Sequence, residues 1–354
     1  MREKTNSNIL KKLISWTLLI TMIYTVFGTV YALASETKAI KLKYGSYAPR
    51  NSIDEPIFRY LEEVSKISGV QIQVEPYFVG TLAKPEDCLG AIGLGIYQIG
   101  WISPVFNSEK VPFATIPNAT PVVSVPLKNS LMAAYEYTTT YPPALQEFEK
   151  AGVTYLFHSG AWYYDLISQK PVKSYEDIKG LRVRTFGYLA KAWAELGGSP
   201  ISMPIPEVYS ALQKGILDAV LTQPVSMHKS LHLSDVAKNF TKIRFGCLSV
   251  PVIMTTKTWE DLPKQVQSAM IQVAKQMPAV TDEMVSNAEL AAIEDMKNSG
   301  ITINEISEAD MNKTKEVSKK IARVIVSDLE SKGVSTAGTA MDLYLNAIEK
   351  NMRP

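Results

Sequence analysis

The stretch from Gly180 to Pro224, GLRVRTFGYLAKAWAELGGSPISMPIPEVYSALQKGILDAVLTQP, constrains the fold more than any other part of the chain. It opens with Leu181 and Val183 alternating against Arg182 and Arg184, the period of a short strand that delivers two guanidinium groups to one side. Leu189, Ala192, Trp193 and Leu196 then recur at helical spacing; Gly197 and Gly198 supply a left-handed stop and Pro200 blocks continuation. Ile201 to Met203 reads as a second strand, and Pro204 and Pro206 precede a helix carrying Val208, Ala211 and Leu212 on one stripe. Gly215 ends that helix and Ile216 to Leu221 makes a third strand. A β-α-β-α-β unit of this kind requires right-handed crossovers and a mostly parallel sheet. Ligands of such sheets bind beyond the carboxyl ends of the strands, and Arg184 lies nearer that end than Arg182.

The same device occurs earlier. Ala91 to Gly100 (AIGLGIYQIG) aligns without gaps on Ala211 to Val220 (ALQKGILDAV), and in both a helix ends, a glycine turns the chain and an apolar strand follows. One short echo is not a solenoid repeat; it points to two lobes built with one device. If each strand ends at a crevice, Trp101 and Ser103 of one lobe face Thr222 and Gln223 of the other.

Three segments in order, IKGLRVR, SMPIPEVYSALQKGILDAVLTQP and MTTKTWEDLPKQVQ, resemble the solute-binding proteins of tripartite ATP-independent periplasmic (TRAP) transporters, and the resemblance covers almost the whole chain after its first residues. It implies an α/β fold of two lobes, like the type II periplasmic binding proteins, with mixed sheets, flanking helices and a long helix spanning both lobes. It also implies a small organic acid captured between the lobes and passed to a TRAP membrane permease, with no cofactor and no catalysis. The arginine that holds the substrate carboxylate in that family falls on Arg184, and a polar side chain that contacts ligand falls on Gln223. The family's second arginine, just before the central unit, is replaced here by Trp162-Tyr163-Tyr164-Asp165, which points away from sialic acid or a simple dicarboxylate and towards a less polar, monocarboxylic substrate. The expected lobes are residues 35–160 with 250–288, and residues 161–249 with 289–354.

A guanidinium offers a planar fork of donors that meets a carboxylate bidentately, and ligand pockets pair such a group with apolar walls. Trp162, Tyr164, Phe186 and Tyr188 are the candidate walls, joined by Trp101 and Ser103 across the crevice and by Tyr47 at the end of the first strand. Aromatic side chains more often fill cores, and an arginine at a strand end is ordinarily solvated; Arg182 is read in that way.

At the N-terminus Arg2, Lys4, Lys11 and Lys12 precede an uncharged run from Leu13 to Ala34 ending in Ala32-Leu33-Ala34, the pattern of a secretory leader over residues 1–34. The run is long enough to span a bilayer, so an uncleaved anchor is the alternative. The protein is expected outside the cytoplasm, in the periplasm or at the cell surface. Beyond residue 34 the chain has 33 basic against 34 acidic residues, and no basic tract suggests nucleic acid. Cys88 and Cys247 are read as two buried thiols, because a chain with 46% hydrophobic residues and this length needs no disulfide to stabilise its core.

The remaining pattern predicts strands at Lys41 to Tyr47, Val70 to Tyr77 and Val153 to His158, and one long extended stretch from Lys242 to Thr255. Crossings between lobes are expected near Val153–Ile167 and Phe245–Thr255. Met227 to Leu233 reads as helix, as does Pro263 to Ser299 with one break at Pro278, and Pro142-Pro143 interrupts a helix that starts near Ser130. His228, His232 and Asp235 share helical spacing but lack a further ligand pattern for a metal. No G-x-S-x-G, HExxH or phosphate-loop sequence is present. Two further readings stay open at this point: a secreted enzyme on the same lobes, which needs His158, or His228 with His232, at the crevice, and a ligand sensor that docks on a membrane receptor kinase.

Overall fold

The computed structural model describes residues 39–120 and 125–353, without the side chains of Trp162 and Pro206. The expected leader lies outside the described residues, and among the described residues no helix is long and apolar enough to cross a membrane. The strands are β1 (Ile40–Gly45), β2 (Ile72–Tyr77), β3 (Ile99–Trp101), β4 (Val153–Tyr163), β5 (Asp165–Ser168), β6 (Arg182–Arg184), β7 (Ser199–Ile201), β8 (Ala219–Thr222), β9 (Asn239–Lys242), β10 (Cys247–Thr255) and β11 (Thr302–Glu305). They form two sheets, ordered β2-β1-β3-β10-β4 and β11-β9-β5-β8-β6-β7, each the centre of one lobe.

The predicted β-α-β-α-β unit is the core of the second sheet. Strand β6 runs parallel to both β7 and β8, and the crossovers are the helices Gly187–Glu195 and Ile205–Gln213. Antiparallel β5 on β8, and β9 on β5, make the sheet mixed. Helices cover both of its faces, so the strands alternate between two apolar environments instead of between core and water. Leu166, Val183, Ala219 and Leu221 turn to a cluster containing Trp193 and Tyr344; Ile167, Val220 and Phe240 turn to Val208, Leu212 and Met296 on the opposite face.

In the first sheet β10 lies antiparallel between β3 and β4. Strand β4 continues five residues past its expected end at His158, because β10 pairs with it as far as Tyr163. A register shift between Tyr155 and Phe157 turns Phe157 against Tyr60, with ring centroids 4.6 Å apart. The single extended stretch expected from Lys242 to Thr255 is two strands in different sheets. Between them Arg244 (φ 52°) and Gly246 (φ 81°) adopt left-handed backbone, and this turn carries the chain from one lobe to the other.

The other crossing is at Tyr164, between β4 and β5. The two crossings are bonded to each other: Tyr164 N donates to Gly246 O at 3.0 Å and Phe245 N to Tyr164 O at 3.0 Å. Asp165 Oδ1 accepts from the amides of Ile243 at 2.9 Å and Arg244 at 2.8 Å. A third link is the helix Met277–Asn298, which packs on β4 and on the helix Leu127–Thr140 near its start and delivers Met296 to the second sheet near its end. Pro278 stands in its first turn, where a missing N–H costs nothing, after the separate helix Lys264–Ala274. The last helix, Ala337–Met352, packs on the helices Leu127–Thr140, Pro112–Ala119 and Glu308–Ser331, and its Tyr344 shares the apolar cluster of Leu166, Val183 and Trp193. Met227 to Leu233 is not one helix but a π turn, Ser226–Ser230, and a 3-10 turn, Leu233–Asp235. Cys88 and Cys247 are free and buried.

The echo holds in the backbone. Gly95 N bonds Ile92 O and Ile96 N bonds Ala91 O; Gly215 N bonds Leu212 O and Ile216 N bonds Ala211 O, so both helices end in a Schellman turn with glycine at the left-handed position (φ 73° and 70°). A methyl group at Gly215 would meet nothing, so its cost is conformational alone, whereas Gly90 sits inside the helix Cys88–Gly93 with equally open space and ordinary φ. Gly215→Ala is therefore expected to lower stability by about 1–2 kcal/mol, and Gly90→Ala to raise it by about 0.5–1 kcal/mol. Urea unfolding midpoints of the two variants check the opposite signs.

Candidate functional site

Arg182 and Arg184 occupy one face of β6 but have opposite surroundings. Arg182 is exposed and held bidentately by Asp218, with Nε at 2.9 Å from Oδ2 and Nη2 at 2.7 Å from Oδ1. Arg184, at the carboxyl end of the strand, is only 8% exposed. Its Nε donates to Met203 O at 3.3 Å and its Cζ lies 5.2 Å over the Phe186 ring. It has no ion pair among the described residues, and burial draws its pKa down with only Tyr164 offsetting. A buried cation without an anion is costly, so the site gains most from a carboxylate that completes the pair.

The register of β5 on β8, Asp165 opposite Thr222, sets Tyr164 beside Gln223. The Tyr164 hydroxyl bonds the Gln223 side chain; burial pushes its phenol pKa up while the Arg184 charge pulls it back. Thr222 Oγ1 donates to Gln223 Oε1 at 3.1 Å. Tyr164 meets Phe186 edge to face at 6.0 Å. Arg184, Gln223, Tyr164 and Phe186 are thus brought together at the carboxyl ends of β6 and β8. Tyr188 is half-buried beside them; burial first, and then Asp328, to which its hydroxyl is tied, raise its pKa to about 12. Trp162 lies in β4, and its side chain is outside the described residues.

The first lobe contributes Tyr47, whose ionisation is opposed by burial first and then by the neighbouring Tyr164 phenol, and whose hydroxyl bonds Ser103. Its ring packs on Trp101 at 4.6 Å and on Phe106 at 6.2 Å. Trp101 is buried behind it, with its indole N–H committed to Asp54 Oδ1 at 2.9 Å. Ser103 Oγ donates to Asn118 Oδ1 at 3.2 Å, and Asn118 Nδ2 donates to Ser249 O at 2.8 Å, so a hydrogen-bonded chain runs from Tyr47 to β10. A cavity of about 30 Å³ opens between the lobes, walled by Ser103, Asn118, Tyr164, Phe186, Tyr188 and Phe245. That is room for water only. Its wall does not include Arg184 or Gln223, so an organic acid that touches these groups together with the first lobe requires the lobes to part.

Sequence reasoning passed over Asp54, Asn118 and Phe106. Asn118 stands in an apolar segment, FATIPNAT, where a lone amide is a signal; Asp54 at the start of a helix looks like an ordinary capping acid. His158 is buried in β4 against Tyr155, 2.6 Å from its hydroxyl, and burial lowers its pKa to about 3. His228 bonds Ser234 Oγ at 2.7 Å.

Comparison with known proteins agrees with this geometry. Residues 46–328 match the family model DctP, described as bacterial extracellular solute-binding protein, family 7. A solute-binding protein of Sulfitobacter sp. (strain NAS-14.1) is 27% identical over 165 residues, 46% of this chain and half the length of that relative. A solute-binding protein of Albidiferax ferrireducens is 23% identical over 308 residues, 81% of this chain and 86% of the relative. Among solved structures, a TRAP solute-binding protein from a marine metagenome, described as specific for aromatic acid ligands and in complex with metahydroxyphenylacetate, superposes with a TM-score of 0.76 at 20% identity, covering 89% of this chain and all of that one.

Asp54 holds the first-lobe wall in place: Oδ1 accepts from Tyr44 at 2.5 Å and Trp101 at 2.9 Å, and Oδ2 from Asn51 N at 2.8 Å. An amide there turns a donor towards a donor. Asp54→Asn is expected to lose about 1–3 kcal/mol of stability, read from urea unfolding, with a shift in tryptophan emission from Trp101 in the native protein.

Proposed function

The chain belongs to the bacterial extracellular solute-binding proteins of family 7, and from that premise we propose that it captures a small organic acid in the crevice between its lobes and delivers it to a TRAP-type membrane permease. The observation that carries this reading is the buried Arg184 guanidinium, without an anion, at the carboxyl end of β6. Its planar fork suits one carboxylate. Tyr164, Phe186 and Tyr47 offer an apolar surround, with Gln223, Ser103 and Asn118 as neutral polar groups. The groups whose charges act on Tyr47 and Tyr164 include one cation, Arg184, and, at Tyr47, the anion Asp54. One fixed positive charge favours a monocarboxylate with an uncharged body, because a second carboxylate would be desolvated without a partner. The protein with metahydroxyphenylacetate in its site holds an acid of that kind.

Ligand binding supplies the differential affinity that closes the lobes about the crossings at Tyr164 and Ile243–Gly246. The extracellular family, with the leader expected over residues 1–34, favours a location outside the cytoplasm, where a permease meets the closed form. A melting-temperature screen against small acids identifies the ligand, since a molecule that binds only the folded form raises the transition. Titration calorimetry then tests the clamp. Arg184→Ala is expected to weaken binding by about 2–5 kcal/mol, or about thirtyfold to a few thousandfold; an unchanged dissociation constant removes Arg184 from the site. Benzoate and 3-hydroxyphenylacetate are expected to bind more tightly than succinate or malate, and the reverse order rejects the single-carboxylate reading.

A further inference from the structure

Glu289 is fully buried midway along the helix Met277–Asn298. Its Oε2 accepts from Val225 N at 2.9 Å, the amide that follows Gln223 and Pro224 at the end of β8. Oε1 makes no hydrogen bond of ordinary distance and angle, although Ser52, in the loop after β1, lies close enough to favour the charged form. The carboxyl therefore has backbone of the second lobe on one side and a loop of the first on the other.

Among the described residues no cation neutralises it. The elements packed most extensively on this helix are β4, the helices Leu127–Thr140 and Asp54–Ser68, and the turn Ser226–Ser230. Their ionisable groups are engaged elsewhere: His158 with Tyr155, Glu136 with Lys350, Asp54 with Tyr44 and Trp101, Arg59 with Glu62 and Glu63, Lys66 with Glu62 and Glu63, Glu55 with Arg50, His228 with Ser234, and Lys229 with Asp295. The phenols of Tyr60 and Tyr137 bond the carbonyls of Met270 and Phe113, Tyr163 bonds Val125 O, Tyr135 packs on Tyr155, and Lys128 is exposed. The charge that acts on Glu289 is the like-signed Asp165 of β5. Burial first, and Asp165 second, push the Glu289 carboxyl up to about 8.

We propose that Glu289 couples closure of the crevice to uptake of a proton: enclosed between Val225 and Ser52 when the lobes are together, it is held neutral, and when they part, water reaches it and the proton leaves. The inference rests on the two-lobed capture reading above. A carboxyl that is protonated only in the closed form favours closure at pH values below its closed-state titration and opposes it as pH rises through that range. Asp165 also titrates high, at about 7. It stays bonded to the amides of Ile243 and Arg244 within the crossing itself, so opening does not expose it in the same way.

Small-angle X-ray scattering of the ligand-free protein, wild type and Glu289→Gln, at about pH 5.5 and about pH 8.5 tests the coupling without any ligand, so its outcome is separable from whether an organic acid binds. The wild type is expected to have the smaller radius of gyration at the lower pH, and Glu289→Gln, whose amide mimics the neutral acid, to remain compact at both. A wild-type radius indifferent to pH overturns the proposal on its own, even if the variant does not fold. A pH response retained in Glu289→Gln assigns it to another group and overturns it too. So does a pH-dependent melting temperature without any change in radius, which marks Glu289 as a buried acid that titrates in one conformation.

Discussion

Two lobes can share one chain and still move only if the segments joining them are themselves well defined, and here that definition comes from a short hydrogen-bonded patch. Tyr164 exchanges backbone bonds with Phe245 and Gly246, and one oxygen of Asp165 receives the amides of Ile243 and Arg244. The patch satisfies backbone groups that would otherwise be buried without partners as the chain leaves one sheet and enters the next. It also fixes where Tyr164 stands, and with it the meeting point of the two lobes. Left-handed backbone at Arg244 and Gly246 permits the sharp change of direction.

From that frame the site follows by strand register. Strand β5 runs out of the crossing, pairs with β8, and so brings Gln223 beside Tyr164; β6 on the other side of β8 brings Arg184 to the same end. Two arginines on one strand face, two residues apart, meet different fates because Asp218 reaches one and, among the described residues, no carboxylate reaches the other. The charge left over is buried without a counter-ion among the described residues, the condition under which an anion from outside would be most favourable. Across the crevice, Asp54 orients Trp101, which backs Tyr47, while Asn118 ties Ser103 to β10. Side chains on both sides of the crevice are therefore set in position from behind by buried polar groups.

Buried carboxyls recur in this molecule. Glu147 accepts the amides of Phe113 and Ala114 at the start of a helix, Asp165 those of the crossing, and Glu289 that of Val225. Each lacks a cation at hydrogen-bond distance among the described residues and is held by backbone donors, which is the cheaper way to satisfy an acid in a low-dielectric interior. The three differ in what surrounds them: Glu147 sits within one lobe, Asp165 at the crossing between the sheets, and Glu289 beside backbone of the second lobe.

The sequence by itself determined the β-α-β-α-β unit, the glycine-stopped helices, the recurrence of that stop near Gly95 and Gly215, and the family to which Arg184 belongs, because spacing, turn residues and capping act over a few neighbouring positions. It located both crossings approximately for the same reason. Only the tertiary structure decided that β4 runs on to Tyr163, that the stretch from Lys242 to Thr255 divides between two sheets, and that the last helix packs on Leu127–Thr140. Those outcomes depend on partners distant along the chain, through strand pairing and burial of apolar faces. Asp54 and Glu289 were illegible for a related reason. An acid on a helix reads locally as a solvated residue, and its role appears only when the fold removes water and leaves particular donors facing it.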